Sequence, residues 1–253
     1  MEKSIIFITK NFNEIDKEKF EEQLKNYKVI YIDNIKDLDK INYIEADNMN
    51  DKIVEIISNI VEFRNLESGN HVKRVKSFTN ILAKYMANVY PEYHLNDIDI
   101  NIITSASALH DVGKIIISDN ILLKRGKLSK EEFEIMKTHT TNGCVVLNML
   151  NDVLKGKEWI VSYEICKYHH ERYDGKGYPE NLKGEQIPIS AQIVSIADVY
   201  DALVHERIYK KAFPVDVAYN MIQNGECGTF SPKLMKCFSL ARKEFETIVE
   251  NEN

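Results

Sequence analysis

The hydrophobic pattern of the chain changes close to residue 50. Before that point, the runs SIIFITK (4–10) and KVIYIDNI (28–35) are short and β-branched, and the charged segment 16–27 separates them. Runs of this kind are typical of strands, and the segment between them has helical character. The order predicts a β-α-β unit, which a third run, INYIEADN (41–48), would extend to a sheet of about three strands.

Beyond residue 50, apolar residues recur at the spacing of amphipathic helices. Two stripes of this kind are Ile53, Ile56, Ile57, Ile60 and Phe63, and Val75, Phe78, Leu82, Tyr85, Met86 and Val89. Further helices are predicted over 98–110, 130–150, 159–170, 190–205, 215–223 and 232–250. Ser129 with Glu132 forms a capping box, and Ser231 places a cap before Pro232. The predicted fold is mostly α, with a helical bundle (50–253) after a small α/β segment (1–49).

Composition narrows the class of protein. The 253 residues, 44% of them hydrophobic, are enough for one good core and a small second domain. The net charge of −6 gives no general attraction to DNA or to a membrane surface, so a polyanionic substrate would need a local cluster of positive charge. The cysteines are dispersed without a C-x-x-C pair, and neither a signal peptide nor a membrane-spanning run is evident. We therefore expect a reduced, cytoplasmic protein. The cysteines are Cys144, Cys166, Cys227 and Cys237.

Several ionisable residues fall on apolar helix faces or at helix ends. They are Glu67, His71, His110, Asp111, His139, His169, His170, Asp198 and Asp201. Each alone has an ordinary explanation, such as a solvated helix pair, a cap or a buried hydrogen-bonding partner. Together they include five of the seven histidines, and burying so many ionisable groups without partners would cost several kcal/mol each. The combination predicts a shared centre for divalent cations.

The same residues lie in five motifs: E-x-x-x-H, H-D-x-G-K, a lone His after M-K-T, H-H-E-R-x-D-G-x-G-Y-P, and I-A-D-x-Y-D-A-L. In order and spacing this set resembles the HD-GYP family, a branch of the HD phosphohydrolases, over roughly residues 60–246. The resemblance implies an HD-type helical bundle and a signalling phosphodiesterase. Members of the family cleave cyclic di-GMP to linear pGpG, and in some cases to GMP, at a centre of two or three metal ions.

The resemblance also implies a ligand set. The implied metal ligands are His71, His110, Asp111, His139, His169, His170 and Asp198, with Glu67 associated with a third ion. Asp111 is the expected bridging carboxylate. Iron or manganese is the expected metal, and zinc stays open because mixed imidazole and carboxylate ligation suits several ions.

The expected chemistry is attack on phosphorus by a metal-bound hydroxide, with the two ions roughly 3.5 to 4 Å apart. Lys114 is predicted to stabilise charge on the phosphate oxygens, although an ordinary exposed lysine is the alternative. Asp201 is predicted to orient a ligating histidine, with a role as general acid for the leaving oxygen left open. Gly113 is expected to supply the left-handed residue that ends the helix before it.

The HHERYDGKGYP segment is predicted to form one wall of the site. Gly175 and Gly177 permit backbone angles that other residues avoid, so the loop can turn tightly and let substrate approach its main chain. Tyr178 would offer its ring or hydroxyl to the ligand, and a structural turn around a core tyrosine is the alternative. In the family this loop also binds proteins with GGDEF domains, which makes such a partner an expectation here.

Substrate anchoring is predicted at Arg207, Lys210 and Lys211 in HERIYKKAF. Family members usually read close to S-D-R-P-Y-K/R-x-A in this segment, and further departures occur upstream. The departures are His205, Glu206, Ile208, Gln192 and Asn65. They spare the implied metal ligands, so they bear on which base is bound more than on hydrolysis. His205 is interpreted as a helix cap rather than as a reader of guanine.

Segment 1–49 resembles the opening of a response-regulator receiver domain, but Lys10 and Asn11 stand where a receiver has acidic residues. A docking or dimerisation module, and hence a homodimer, is the expectation instead. Two further functions stay open. One is a sensor that binds cyclic di-GMP without cutting it, and the other is an HD hydrolase for another cyclic dinucleotide or nucleotide.

Overall fold

The computed structural model describes residues 3–8, 27–32, 49–64, 70–151, 154–206 and 211–252. The chain forms two compact units, Met1–Ile56 and Ile57–Asn253. The predicted domain boundary between residues 49 and 50 stays a prediction.

In the first unit, strands β1 (Lys3–Ile8) and β2 (Tyr27–Ile32) pair in parallel, with Lys3 opposite Tyr27 and Ile8 opposite Ile32. Parallel neighbours need a crossover connection, as the predicted β-α-β unit has. The predicted helix between the strands and the predicted third strand lie outside the described residues.

The remaining described elements are helical. They are α1 (Met49–Arg64), α2 (Asn70–Val89), α3 (Asp97–Ala106), α4 (Asp119–Leu122), α5 (Lys130–Lys137), α6 (His139–Met149), α7 (Lys157–Tyr168), α8 (Ile189–Val204), α9 (Val215–Gln223) and α10 (Pro232–Glu252). Short 3₁₀ turns follow α3 at Ser107–Leu109 and Val112–Ile116. None of the helices in the described part of the chain is long and apolar enough to cross a membrane.

An aromatic cluster joins α2, α8 and α10 in the core of the second unit. Phe78 stacks on Phe245 with 4.5 Å between ring centroids, and Tyr200 meets both rings edge-on at 5.1 and 5.0 Å. Offset and edge-to-face contacts of this kind add to the hydrophobic gain of burial. Helices α3 and α7 also pack against these helices. This packing holds the ends of α2, α7 and α8 in fixed positions.

Two predicted helices are interrupted, and both interruptions bear on the site. The helix predicted over 98–110 ends at Ala106 and continues as a 3₁₀ turn, so His110 lies beyond its end. The helix predicted over 130–150 is wrong, because it breaks at Thr138 into α5 and α6. The Thr138 hydroxyl donates to the Ile135 carbonyl, and such side-chain bonds to the backbone compete with regular helix. The capping box of Ser129 and Glu132 at the start of α5 is confirmed.

Candidate metal centre

Seven of the eight predicted metal ligands come together in two groups. His71, His110 and Asp198 form one group. The second group is Asp111, His139, His169 and His170. Within each group, one ligand atom per residue lies within 4.8 Å of the others. The eighth predicted ligand, Glu67, lies outside the described residues.

Asp111 connects the two groups. Its Oδ2 atom lies 3.2 Å from Nε2 of His110, and its Oδ1 atom lies 3.3 Å from Nε2 of His139 and 3.9 Å from Nε2 of His169. The two carboxylate oxygens therefore face different groups. This is the arrangement expected of a carboxylate shared by two ions.

Backbone carbonyls fix the orientation of the imidazole rings. Nδ1 of His110 donates to the Ser107 carbonyl at 2.8 Å, and Nδ1 of His139 donates to the Met136 carbonyl at 2.8 Å. His169 makes the same bond to a carbonyl of the preceding helical turn at 3.0 Å. Because a carbonyl oxygen only accepts, the proton of each neutral ring sits on Nδ1, and the Nε2 lone pair points into the centre. His110 follows the end of α3 at Ala106, and His139 follows the break at Thr138. These positions allow the two rings to bond to the preceding carbonyls.

His71 is oriented by a carboxylate instead. Its Nδ1 lies 2.6 Å from Oδ2 of Asp201, while Oδ1 of Asp201 accepts from Nε of Arg74 at 2.5 Å and lies 3.0 Å from Nδ1 of His205. Burial opposes the charge of Asp201, but the bonds from His205, His71 and Arg74 hold its pKa well below the usual range. An ionised carboxylate has no proton to give, so the geometry supports the orienting role of Asp201 over general acid catalysis. His205 follows the end of α8, as expected of a cap.

The histidines divide into two classes by pKa. Burial alone would lower the pKa of His110, but the carboxylates of Asp111 and Asp198 raise it to about 9. Burial and the neighbouring His110 lower the pKa of His169 to about 3, and burial with His169 lowers that of His170 well below its usual range. The second group thus keeps neutral imidazoles, which bind metal without releasing a proton.

Two atoms at the heart of the site indicate that the donors fit a cation. Among the described side chains, Nε2 of His110 and Oδ1 of Asp111 are buried and make no hydrogen bond. Leaving such buried polar atoms unsatisfied costs free energy, and a bound cation would remove that cost. The donor set, five imidazoles with two carboxylates, suits divalent transition metals.

Lys114 lies beside the bridging carboxylate. Its Nζ atom is 2.6 Å from Oδ2 of Asp111, and its side chain is only 15% exposed. This position contradicts the alternative of an ordinary exposed lysine. The burial of Asp111 opposes its charge, but Lys114 and His110 together lower its pKa well below the usual value.

Arg64, at the end of α1, was not among the predicted site residues. Its guanidinium donates to the carbonyls of Lys114 at 3.1 Å, Ile115 at 2.6 Å and Ile117 at 2.7 Å, and to the Asp119 carboxylate at 2.7 Å. The planar fork of arginine suits several acceptors in one plane. Arg64 thereby fixes the turn that carries Lys114. The partners are at least fifty residues away in sequence, so local pattern gave no signal for this contact.

Gly113 has a different role from the predicted one. Its backbone is not left-handed, so the expectation that it ends a helix in that conformation is wrong. A Cβ at this position would lie 1.9 Å from the His139 carbonyl oxygen and 2.3 Å from the Gly143 nitrogen. Gly113 is therefore needed because two backbones meet here, which brings Asp111 against the start of α6.

The GYP loop, residues 174–179, covers the second group of candidate ligands. Tyr178 stacks on His170 with 4.8 Å between centroids and an interplanar angle of 26°, and the Tyr178–Pro179 peptide is cis. Gly175 has a φ of 78°, as predicted for a tight turn, but Gly177 does not have a positive φ. A Cβ on Gly177 would instead lie 2.3 Å from the Arg172 nitrogen.

Glu171 organises this loop and was missed by sequence reasoning. Its two carboxylate oxygens accept from the backbone nitrogens of Glu180 at 2.7 Å and Leu182 at 3.0 Å. The loop therefore closes on the residue directly after His169 and His170. The only sequence signal for this role was that Glu171 directly follows His169 and His170 in the H-H-E-R motif.

Of the predicted substrate anchors, Arg207 and Lys210 lie outside the described residues, and Lys211 is exposed. Their role stays a prediction. Gln192, one of the departures from the family pattern, is buried and donates to the Ile187 carbonyl at 2.8 Å. That contact is internal to the bundle. Asn65 and Ile208 also lie outside the described residues.

Known proteins with similar sequences are phosphodiesterases. A cyclic di-GMP phosphodiesterase of Vibrio cholerae is 37% identical over 207 residues, which are 81% of this chain and 42% of that protein. The 3'3'-cGAMP-specific phosphodiesterase 2 of the same organism is 39% identical over 185 residues, 73% of this chain and 33% of that protein. The chain thus spans less than half the length of these relatives.

A solved structure shows the same fold. The HDG"Y"P protein Bd1817 from Bdellovibrio bacteriovorus matches with a TM-score of 0.50 at 17% identity, over 79% of this chain and 63% of that one. The predicted HD-type helical bundle is confirmed. The HD domain family matches residues 55–234, and the two groups of candidate metal ligands fall within that range. The chain therefore belongs to the HD domain family, in its HD-GYP branch.

Proposed function

We propose that this chain is a metal-dependent phosphodiesterase that hydrolyses cyclic di-GMP to linear pGpG. One observation carries the proposal: two groups of metal-ligating side chains share the Asp111 carboxylate, with the Lys114 ammonium 2.6 Å from it. The named activities of the relatives support the same chemistry and substrate class. The chain's own activity and substrate are proposals, because the chain covers only 42% and 33% of those two relatives.

The candidate ligands would hold two ions. His71, His110 and Asp198 would hold one ion, and His139, His169 and His170 would hold another, with Asp111 between them. When bound, the ions would act as Lewis acids on the phosphodiester and on the attacking water. The ligand atoms are preset, because backbone carbonyls and Asp201 already orient the rings. Such preorganisation lowers the cost of reaching the reactive geometry.

Lys114 contributes a fixed positive charge at the edge of the centre. Its ammonium group is tied to Asp111 and sits in a largely buried position, where electrostatic interactions are stronger than in water. A phosphodiester that reached Asp111 would meet this charge. Lys114 would thereby stabilise negative charge as it builds on the phosphate oxygens during attack.

We propose iron or manganese as the metal and two or three ions per chain. Mixed imidazole and carboxylate ligation is compatible with both metals. The third ion depends on Glu67, which lies outside the described residues. Elemental analysis of anaerobically purified protein measures both identity and number.

Product analysis tests the activity. Protein loaded with iron or manganese under anaerobic conditions is incubated with cyclic di-GMP, beside His110→Ala and Asp111→Ala variants. The proposal predicts linear pGpG from the wild-type protein and none from the two variants. Full metal occupancy without any linear product would instead identify a sensor that binds cyclic di-GMP without cutting it.

A second candidate substrate is 3'3'-cGAMP, because a relative named for that substrate is 39% identical. The candidate metal ligands would serve any cyclic dinucleotide equally well. Selection between cyclic di-GMP and 3'3'-cGAMP therefore depends on contacts to the bases. A competition assay with equimolar cyclic di-GMP and 3'3'-cGAMP separates the two. We propose that cyclic di-GMP is consumed first.

The proposed partners and location come from the sequence: from the family resemblance, from segment 1–49 and from the composition. We propose a cytoplasmic protein that binds a GGDEF-type partner through the GYP loop and forms a homodimer. Sedimentation analysis of the purified chain measures the oligomeric state. Co-purification with a GGDEF protein, lost in a Tyr178→Ala variant, would support the partner.

A further inference from the structure

Helix α5 lies beside the metal centre but makes no contribution to the hydrophobic core. None of its eight residues is buried. Phe133 and Ile135 are 48% and 46% exposed, so two large apolar side chains of this short helix face solvent. A capping box secures its first turn, so the helix is well formed. Its apolar surface is therefore ordered and still accessible.

The ring of Phe133 continues the aromatic surface of the GYP loop. Phe133 meets Tyr178 edge-on with 6.5 Å between centroids, and Tyr178 in turn stacks on the ligating His170. Nζ of Lys137 lies 5.7 Å from both the Phe133 and Tyr178 ring centroids. A cation shared by two rings holds them on the same side of the site. Phe133 is thus an exposed aromatic ring linked to the metal centre through two further rings.

We propose that Phe133 is a stacking platform for one purine base of the cyclic dinucleotide, with Lys137 fixing the platform. This inference rests on the proposed function for the identity of the ligand. A phosphodiester at the metal centre places its bases outside the ring of metal ligands, and Phe133 is where the structure offers an open aromatic face. Base stacking on an aromatic side chain is sequence-tolerant and contributes substantially to nucleotide binding. The base would cover the apolar area that α5 leaves exposed.

The test compares Phe133→Ala with Phe133→Trp and Ile135→Ala. Ile135 is a matched control, because it lies on the same helix, is exposed to a similar extent and has no ring contact with Tyr178 among the described residues. Titration calorimetry of the metal-free chain with cyclic di-GMP gives Kd, and turnover of the metal-loaded chain gives KM. Loss of stacking should raise both about tenfold in Phe133→Ala. Phe133→Trp and Ile135→Ala should stay within about twofold of wild type.

The proposal is overturned if Phe133→Ala matches Ile135→Ala in both Kd and KM. That result would indicate that the apolar face of α5 binds a protein partner instead of a base. Failure of the proposed function looks different, because wild-type protein would then form no pGpG while Kd still separated the two variants. A wild-type chain that binds no cyclic di-GMP, with or without metal, also overturns the inference.

Discussion

Oδ2 of Asp201 lies 2.6 Å from Nδ1 of His71, so a carboxylate outside the two groups of candidate ligands sets the direction of the His71 ring. The same carboxylate also binds Arg74, which keeps it ionised and immobile. Partners of this kind fix the ring orientation and make the imidazole a better ligand.

Asp201→Asn should therefore lower metal affinity about 10- to 100-fold, because the amide keeps the shape but loses the charge that supports His71. Metal retention against a chelator, followed by elemental analysis, measures the effect. Asp216→Asn is the control, since Asp216 is 78% exposed and pairs only with surface groups of α10 among the described contacts. Wild-type metal affinity in Asp201→Asn would show that the contact has no orienting role.

Lys114→Met should reduce kcat about 10²- to 10³-fold while the chain keeps its metal. The substitution removes the positive charge next to Asp111 and leaves every proposed ligand residue in place, and a single group that stabilises transition-state charge contributes about this much. Steady-state turnover of cyclic di-GMP and metal content are both measured. Lys127→Met, at an exposed position, serves as control. If kcat survives intact, Lys114 is only a structural partner of Asp111.

Arg64→Gln should lower kcat about 10- to 100-fold through displacement of Lys114. Four acceptors between Lys114 and Asp119 lose their shared donor, and a shift of about 1 Å in a positioned group can cost this much. Arg64→Lys should fall in between, because an ammonium group cannot serve four acceptors in a plane.

Hydrogen exchange separates this effect from general unfolding. In Arg64→Gln, amides of residues 112–117 should exchange faster while those of α2 remain protected. The same experiment on Arg242→Gln, a surface arginine of α10, should show neither change. Unaltered kcat in Arg64→Gln would mean that the turn holds its shape without the arginine.

The metal-free chain should lose stability as pH falls below about 6.5. His169 and His170 have depressed pKa values in the folded state, because burial disfavours their charged forms. An unfolded histidine with a pKa of about 6.5 binds a proton that the folded site resists, so acid favours unfolding. His71 and His110 have raised pKa values and are protonated in both states well below pH 6, so their contribution is constant there.

Thermal melts in the presence of a chelator measure this. The Tm at pH 5 should be several degrees below that at pH 6, and His170→Gln should reduce the difference by removing one of the depressed groups. A Tm that rises on acidification would mean that the raised pKa values of His71 and His110 dominate instead.

The positions of the candidate metal ligands could be predicted from sequence, because their residue types and their places at helix ends are local properties. His110, Asp111 and His169 lie where the motifs put them. The break at Thr138 could not be predicted, since the helical period continues across it. That break lets the Met136 carbonyl accept from His139.

The contacts that were missed join distant parts of the chain. Arg64 and the turn after Asp111 are about fifty residues apart, and no local pattern reports such a pair. Gly113 was assigned the wrong purpose for the same reason, because the backbone that crowds it belongs to α6. The sequence motifs predicted the candidate ligand residues, whereas the contacts that orient and position these residues depend on tertiary packing.

The number of metal ions per chain tests the central claim most directly. Protein purified anaerobically is analysed for iron, manganese and zinc, and the sum is divided by the protein concentration from amino-acid analysis. Two ligand groups that share Asp111 predict at least two ions per chain, falling to one or fewer in Asp111→Ala. A wild-type chain that holds no more than one ion after loading with excess iron or manganese would contradict the account.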